Sequence, residues 1–286
     1  MVAPEVGKTV GVRPAVSHGG IDAESAAAYA QHFDAAFGRR LAEKALDGLV
    51  VVRGARILDV ACGTGAFARL AAHVAGTGGR VVGVDPSPAA IETARRVDVT
   101  STVEWRCDDF ERIPFDDATF DVAACQHALH RFPDRVRILQ EMRRVLVPGG
   151  RIGSMTWGPI EENPAFAVEL DAAVKAGIAG SGVIEGLLDA FSLHRAEDLV
   201  ALAERAGLVD ASVRTVRLLA ALPRAAEWVR VYPTVPPLSR AWHDCGQQAR
   251  VAFLARATEL LRPFEHDGVL RVQASCRLLL ARTPLA

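Results

Sequence analysis

Lysine is nearly missing from this chain of 286 residues. Only Lys8, Lys44 and Lys175 occur among the 33 basic residues, so thirty are arginines. With the heavy use of alanine and valine, this bias reflects codon choice in GC-rich DNA and carries no function. A surplus of positive charge is missing too, since the formal net charge is -1. Sequence-independent binding of a phosphate backbone draws on such a surplus, so no nucleic-acid partner is expected. Cysteine is scarce. Cys62, Cys107, Cys125, Cys245 and Cys276 make an odd count of five with no C-x-x-C spacing, which argues against a disulfide framework or a thiolate zinc site. The histidines show no metal-ligand spacing either, so no metal is expected. No run nears the ~18 consecutive apolar residues that a membrane span needs. The first twenty residues hold two prolines and no long apolar core. They read as a flexible arm (1–20) and not as a signal peptide. Gly7-Lys8-Thr9 is no phosphate loop, because Val2 stands where its first glycine would be. A cytoplasmic protein without a membrane partner is the expectation.

What is present is ordinary globular material. Half the residues are hydrophobic and 23% are charged, enough for a large core. Helical spacing runs over 21–47, with Asp22 as a cap and a break near Gly38. A different rhythm follows. An apolar run ends in the glycine turn of ILDVACGTG, a helix covers 66–75, and RVVGVD makes a second strand. Ser87 and Pro88 open a helix over 87–96. Strands at 102–107 and 120–125 come next, then a helix closed by Pro148-Gly149-Gly150, then a strand at 151–157. Strands alternating with helices, the strands apolar almost throughout, mean a parallel sheet covered on both faces. Beyond Trp157 the spacing predicts helices within 158–190, a helix at 196–208 and a strand at 210–222. Mostly helical chain at 223–262 and a last strand near 274–282 complete the pattern.

The loop after the first strand brings bare backbone and a helix N-terminus against any ligand. Gly63, Gly65 and Ala68 with Asp85, 20 positions after Gly65, also satisfy a dinucleotide fingerprint. Three features turn the reading elsewhere. Asp59, four residues before Gly63, repels a pyrophosphate and suits a cationic group. Asp85 can accept both hydroxyls of a ribose. Asp109 and Phe110 follow the third strand, where a carboxylate can accept an adenine amino group and an aromatic can cover the ring.

Taken together, ILDVACGTG, VVGVDPSPAAIETAR, CDDFERIPFDDATFDVAACQHALHRFPD and EMRRVLVPGGRI resemble the class I S-adenosylmethionine-dependent methyltransferases. The resemblance is nearest to the small-molecule branch that includes the ubiquinone and menaquinone biosynthesis C-methyltransferases. It covers residues 50–157 well, and 21–47 and 158–286 more weakly. It implies a Rossmann-like doubly wound α/β sheet of seven strands, order 3-2-1-4-5-7-6, the last antiparallel, with a helical lid. The domain would span 21–286: a lid helix (21–47), a cofactor core (50–157), a lid insertion (158–190) and a C-terminal part (191–286). S-adenosyl-L-methionine is the implied cofactor and a small, largely apolar molecule the implied acceptor; a homodimer is admitted. Carried over by position, Asp59, Ala61, Gly63 and Gly65 form the cofactor loop. Asp85 and Pro86 meet the ribose, and Asp109 and Phe110 the adenine. Cys125 and Gln126 wall the methionine end, and Tyr29 is a lid aromatic.

Methyl transfer needs alignment and a dry pocket more than it needs a base. His127, two residues past the fourth strand, is the candidate catalytic base; the plainer reading is a histidine bonded to loop backbone. His130 reads as structural, and Asp121 as an acceptor for nearby backbone. Ile160, Phe166, Leu170, Val174, Ile178, Leu187, Leu188 and Phe191 read as core before substrate wall. Trp157, Trp228, Tyr232 and Trp242 are the aromatics expected near an acceptor. The competing reading is a cofactor-binding relative that catalyses a non-methylating step such as a cyclisation. A nicotinamide oxidoreductase and a nucleic-acid or protein methyltransferase are disfavoured by Asp59 and by CQHA after strand four.

Overall fold

Side-chain alternation along the strands sets up two cores, one on each face of a central sheet. Strand β1 (Arg56–Val60) turns Ile57 to one face and Leu58 and Val60 to the other. β2 (Arg80–Val84) does the same with Val81 against Val82 and Val84, and β4 (Phe120–Gln126) with Val122 and Ala124 against Ala123 and Cys125. This period of two, with apolar residues at both phases, is what a sheet buried on both faces requires. The computed structural model describes residues 21–100, 102–109, 112–178, 180–234 and 238–285. The expected arm (1–20), Phe110 and the side chain of Tyr232 lie outside the described residues.

The remaining strands are β3 (Val103–Arg106), β5 (Leu146–Trp157), β6 (Val209–Leu222), the two-residue β7 (Glu265–His266) and β8 (Val269–Arg282). The main path runs β3-β2-β1-β4-β5-β8-β6, with β7 paired to β8. β8 is antiparallel to both of its long neighbours. This is the expected order, the last long strand being eighth in chain order. Helices α2 (Arg39–Leu49), α3 (Ala66–Ala75) and α4 (Pro88–Val97) cover the first face, and α5 (Arg135–Arg144) and α8 (Ala196–Arg205) the second. Ser87 caps α4 by accepting from Ala90 N–H at 3.3 Å, with Pro88 at its first turn. At the sheet's amino edge Asp121 accepts from the Arg56 backbone N–H (2.8 Å) and pairs with its guanidinium, so its expected structural role holds.

Three boundaries differ from the sequence reading. Helix α5 ends at Arg144, not at Pro148, because Leu146 already pairs with Phe120. The register then moves to Val122 against Arg151, and Pro148-Gly149-Gly150 forms the irregular stretch between. Proline has no N–H to give a ladder and is tolerated at such a bulge. β8 starts at Val269 rather than 274; exposed Arg271 and Gln273 alternate there with buried Val272 and Ala274 and disguise the strand. The helical chain from residue 23 does not break at Gly38. It runs as α1 (Ala23–Ala28), ten residues of π-helix (Tyr29–Gly38) and α2.

Beyond β5 an insertion carries α6 (Pro164–Lys175) and α7 (Ser181–Asp189), and the C-terminal third carries α9 (Ala225–Val231), α10 (Ser239–Asp244) and α11 (Gln247–Leu261). Asn163 fastens the insertion to the sheet: its amide donates to Ser275 O (3.1 Å) and accepts from Ser275 N–H (2.9 Å).

Candidate functional site

The loop between β1 and α3 holds three left-handed residues, Ala61 (φ 57°), Gly63 (φ 53°) and Gly65 (φ 83°). Alternating left-handed backbone curls N–H groups toward one side and makes a concavity for polar ligands. Gly65 has a second reason to be glycine. A Cβ there would collide with the ring of Trp105, and one on Gly83 would lie 2.7 Å from it. Trp105 is thus a wall behind the loop, a role that sequence reasoning missed; Trp105 Nε1 donates to Asp98 at 3.1 Å. Around the Cβ position of Gly63 nothing lies within 4 Å, so this backbone faces open space.

Two carboxylates meet this loop. Asp85 follows β2 and accepts from Gly63 N–H and from Ser87 N–H, each at 2.9 Å. Asp59 is 1% exposed and accepts from Ala68 N–H in the first turn of α3. Its Oδ2 is buried with no hydrogen-bond partner among the described residues. Burial holds the Asp59 carboxyl well above the usual carboxylate range, and the negative charge of Asp85 adds to this. A cation placed beside Oδ2 would supply the missing partner. The loop therefore fits a ligand with one cationic end and one polyhydroxyl portion. Pro86 lies half-buried, its carbonyl accepting from the Cys107 thiol, and Asp109 is exposed after β3.

The N-terminal helix closes on the same loop. Asp34 accepts from Thr64 Oγ1 at 2.7 Å and stands 3.8 Å from the Arg69 guanidinium. Burial pushes the Asp34 carboxyl up to about 6. Gly38 makes the room, because a Cβ there would come 2.6 Å from Asp34 Oδ1. Tyr29 stacks on Phe33 with ring centroids 4.5 Å apart. Burial raises its phenol, with Asp34 and Asp85 among the charges it senses.

At the end of β4 the chain turns through His127 in left-handed geometry (φ 51°), its N–H donating to Met155 O at 2.7 Å. The imidazole stacks on Trp157, 4.3 Å between centroids at 25°. Both ring nitrogens are buried without partners among the described residues, as is Gln126 Nε2. Burial pushes the His127 imidazole down to about 3, so it is neutral at physiological pH. The Cys125 side chain instead faces the second core with Leu58 and Val60, so only its backbone is placed to border a ligand on the loop side.

Trp157 is the hub of an aromatic cluster. Phe166 (4.6 Å), Phe33 (6.1 Å), Phe191 (6.3 Å) and Phe37 (6.4 Å) surround it, and Trp228 contacts Phe37. The N-terminal helix, β5, the insertion and α9 thus meet at one point. Phe166, Ile178, Leu187 and Phe191 are core, as their spacing suggests, whereas Val174 and Leu188 are exposed. Trp242 packs apart from the cluster, against Phe253 and Arg250. The His127–Trp157 stack follows from pairing Gln126 with Met155 across parallel strands, a register no local motif displays. His130 has its Nδ1 buried without a partner among the described residues.

Residues 58–153 match the model of a family described as a methyltransferase domain. Among curated proteins, the 2-phytyl-1,4-naphtoquinone methyltransferase of Thermosynechococcus vestitus is 41% identical over 110 residues, 38% of this chain and 49% of that one. The demethylmenaquinone methyltransferase of Bacillus licheniformis is 34% identical over 111 residues, 38% of this chain and 48% of that one. The match spans about half the length of each of these relatives. Among solved structures, phosphoethanolamine N-methyltransferase 2 of Haemonchus contortus, with S-adenosylhomocysteine bound, superposes with a TM-score of 0.58 at 18% identity, covering 96% of this chain and 61% of that one. The [4+2]-cyclase SpnF gives 0.51 at 22%, covering 87% and 82%. At such identities the likeness is one of fold.

Proposed function

We propose that this chain, whose residues 58–153 match the model of a methyltransferase domain, is a class I methyltransferase that transfers a methyl group from S-adenosyl-L-methionine to a small, largely apolar, quinone-like acceptor. The observation that carries this is the pairing of the glycine loop with two differently placed acids. Asp85 is held by backbone N–H groups at the ribose position, and Asp59 keeps a buried, unpartnered oxygen for a cationic methionine end. Ala61, Gly63 and Gly65 offer backbone between them. Pro86 and Asp109 complete the nucleoside side, Cys125 and Gln126 the wall beside the methionine end, and Tyr29 the cover. The curated relatives, named for methylation of quinones, support the acceptor class.

When bound, the cofactor supplies a methyl group on a good leaving group, so the protein's task is alignment and exclusion of water. The aromatic cluster around Trp157 gives an apolar surface for the acceptor. His127, stacked on that surface, presents ring nitrogens that a polar atom of the acceptor can meet. We assign the N-terminal helix (21–47) and the insertion (158–190) as the two parts of a lid. They share the contact between Phe37 and Phe166, 5.9 Å between ring centroids.

Titration calorimetry with S-adenosylhomocysteine tests the assignment. Hydrogen bonds to a charged group contribute about 1.5–3 kcal/mol each, so Asp85→Ala should weaken binding at least ~10-fold. Unchanged affinity in that variant would contradict the placement of the cofactor.

A further inference from the structure

Glu169 lies in the middle of α6, 4% exposed, and neither of its carboxyl oxygens has a hydrogen-bond partner among the described residues. The other buried acids, Asp34, Asp59 and Asp98, each have at least one. One helical turn to either side of Glu169 lie Ala165, Phe166, Ala172 and Ala173, all buried in the first core. Phe166 packs on Trp157, and Trp157 carries the His127 stack. The charged partner of this helix, Arg256, pairs with Asp171 instead. Apolar surroundings alone raise the Glu169 carboxyl well above its usual range, so it is held in its neutral form.

Leaving a buried acid unpartnered costs stability, and such groups call for an explanation. A neutral carboxyl has one O–H to donate and one oxygen to accept with. It matches an uncharged ligand that carries oxygen on an otherwise apolar frame; an amine would instead draw the ionised form. The unpartnered nitrogens of His127, stacked on Trp157, are a second, independent set of polar atoms against the core that α6 and Trp157 share.

We propose that Glu169 is the specificity-determining group for the acceptor, donating a hydrogen bond to an oxygen of an uncharged ketone or hydroquinone seated against Trp157. This rests on the methyltransferase reading above for what the bound molecule is for. The test compares the affinity of 1-tetralone, a bicyclic ketone that does not alkylate thiols, with that of tetralin, its hydrocarbon counterpart. Affinities are read by tryptophan fluorescence with and without S-adenosylhomocysteine. In Glu169→Leu the ratio of the two affinities should fall ~10-fold, the loss of one hydrogen bond. In Glu169→Gln, whose amide still donates, it should stay within about threefold of wild type. Tm of Glu169→Leu should rise, since an unpartnered buried acid is removed. An unchanged ratio in Glu169→Leu, or a Leu variant that fails to fold, overturns the proposal. Loss of S-adenosylhomocysteine binding by the wild type would overturn the methyltransferase reading instead, and the ratio measured without it would still decide Glu169.

Discussion

His127 is held by three constraints at once: a left-handed backbone, a 2.7 Å bond from its N–H to Met155, and a ring stacked on Trp157. Together they fix where its nitrogens point and strip them of water. Desolvation penalises the imidazolium, which is why the pKa falls from 6.5 to about 3. A base works best when its pKa lies near the working pH, so so weak a base is better suited to hydrogen bonding than to proton abstraction. We therefore expect His127→Ala to lose ~100-fold in turnover, the range of one preorganised hydrogen-bonding group at a reacting centre, with S-adenosylhomocysteine affinity unchanged. His127→Gln should stay within about tenfold of wild type, because its amide still meets the acceptor. Turnover of the wild type should show no break from this residue between about pH 5 and 8. A Gln variant as slow as the Ala variant would restore the base role. The sequence displayed His127 as a polar residue past strand four. It could not display the stack, which depends on how β4 and β5 are registered.

Among the elements, the N-terminal helix shows most clearly what sequence periodicity leaves out. Its apolar spacing and its Asp22 cap are visible locally, and Asp22 does accept from Ser25 N–H at 2.8 Å. The π-helical stretch is not visible, and neither is the bond between its Asp34 and Thr64, 30 residues away. Pro148-Gly149-Gly150 misled for a related reason: the triplet reads as a helix stop, yet strand pairing claims the chain first. Asp34 also makes the helix pH-sensitive. Its pKa rises from 3.8 to about 6, burial outweighing Thr64 and Arg69. The unfolded chain gives up this proton near pH ~4 while the folded chain keeps it to about 6. Its stabilising contribution is thus complete below ~4 and is lost as pH rises through about 6, by up to about 3 kcal/mol. Denaturant unfolding between those limits should show this loss in wild type and not in Asp34→Asn. An equal slope in both proteins would place the pH dependence elsewhere.

For the whole molecule, the alternation of strands and helices and the four motifs made the sheet order legible, because parallel strands buried on both faces leave a strong apolar signature. The carboxyl-edge acids were legible for the same reason, being attached to strand ends. The aromatic cluster was not, since it is assembled from the N-terminal helix, β5, the insertion and α9, and only packing brings Phe37, Trp157, Phe166 and Trp228 together. The same fold also serves the [4+2]-cyclase SpnF, so the reaction is decided by product and not by fold. The decisive measurement is to supply S-adenosylmethionine carrying a trideuteromethyl group with 1,4-naphthohydroquinone kept reduced, and to analyse the organic extract by mass spectrometry. The expected result is a naphthohydroquinone bearing the trideuteromethyl group, seen as the quinone once the extract is oxidised by air, with S-adenosylhomocysteine formed in equal amount. Tight cofactor binding with no label transferred to this or related hydroquinones would contradict methyl transfer to a quinone-like acceptor.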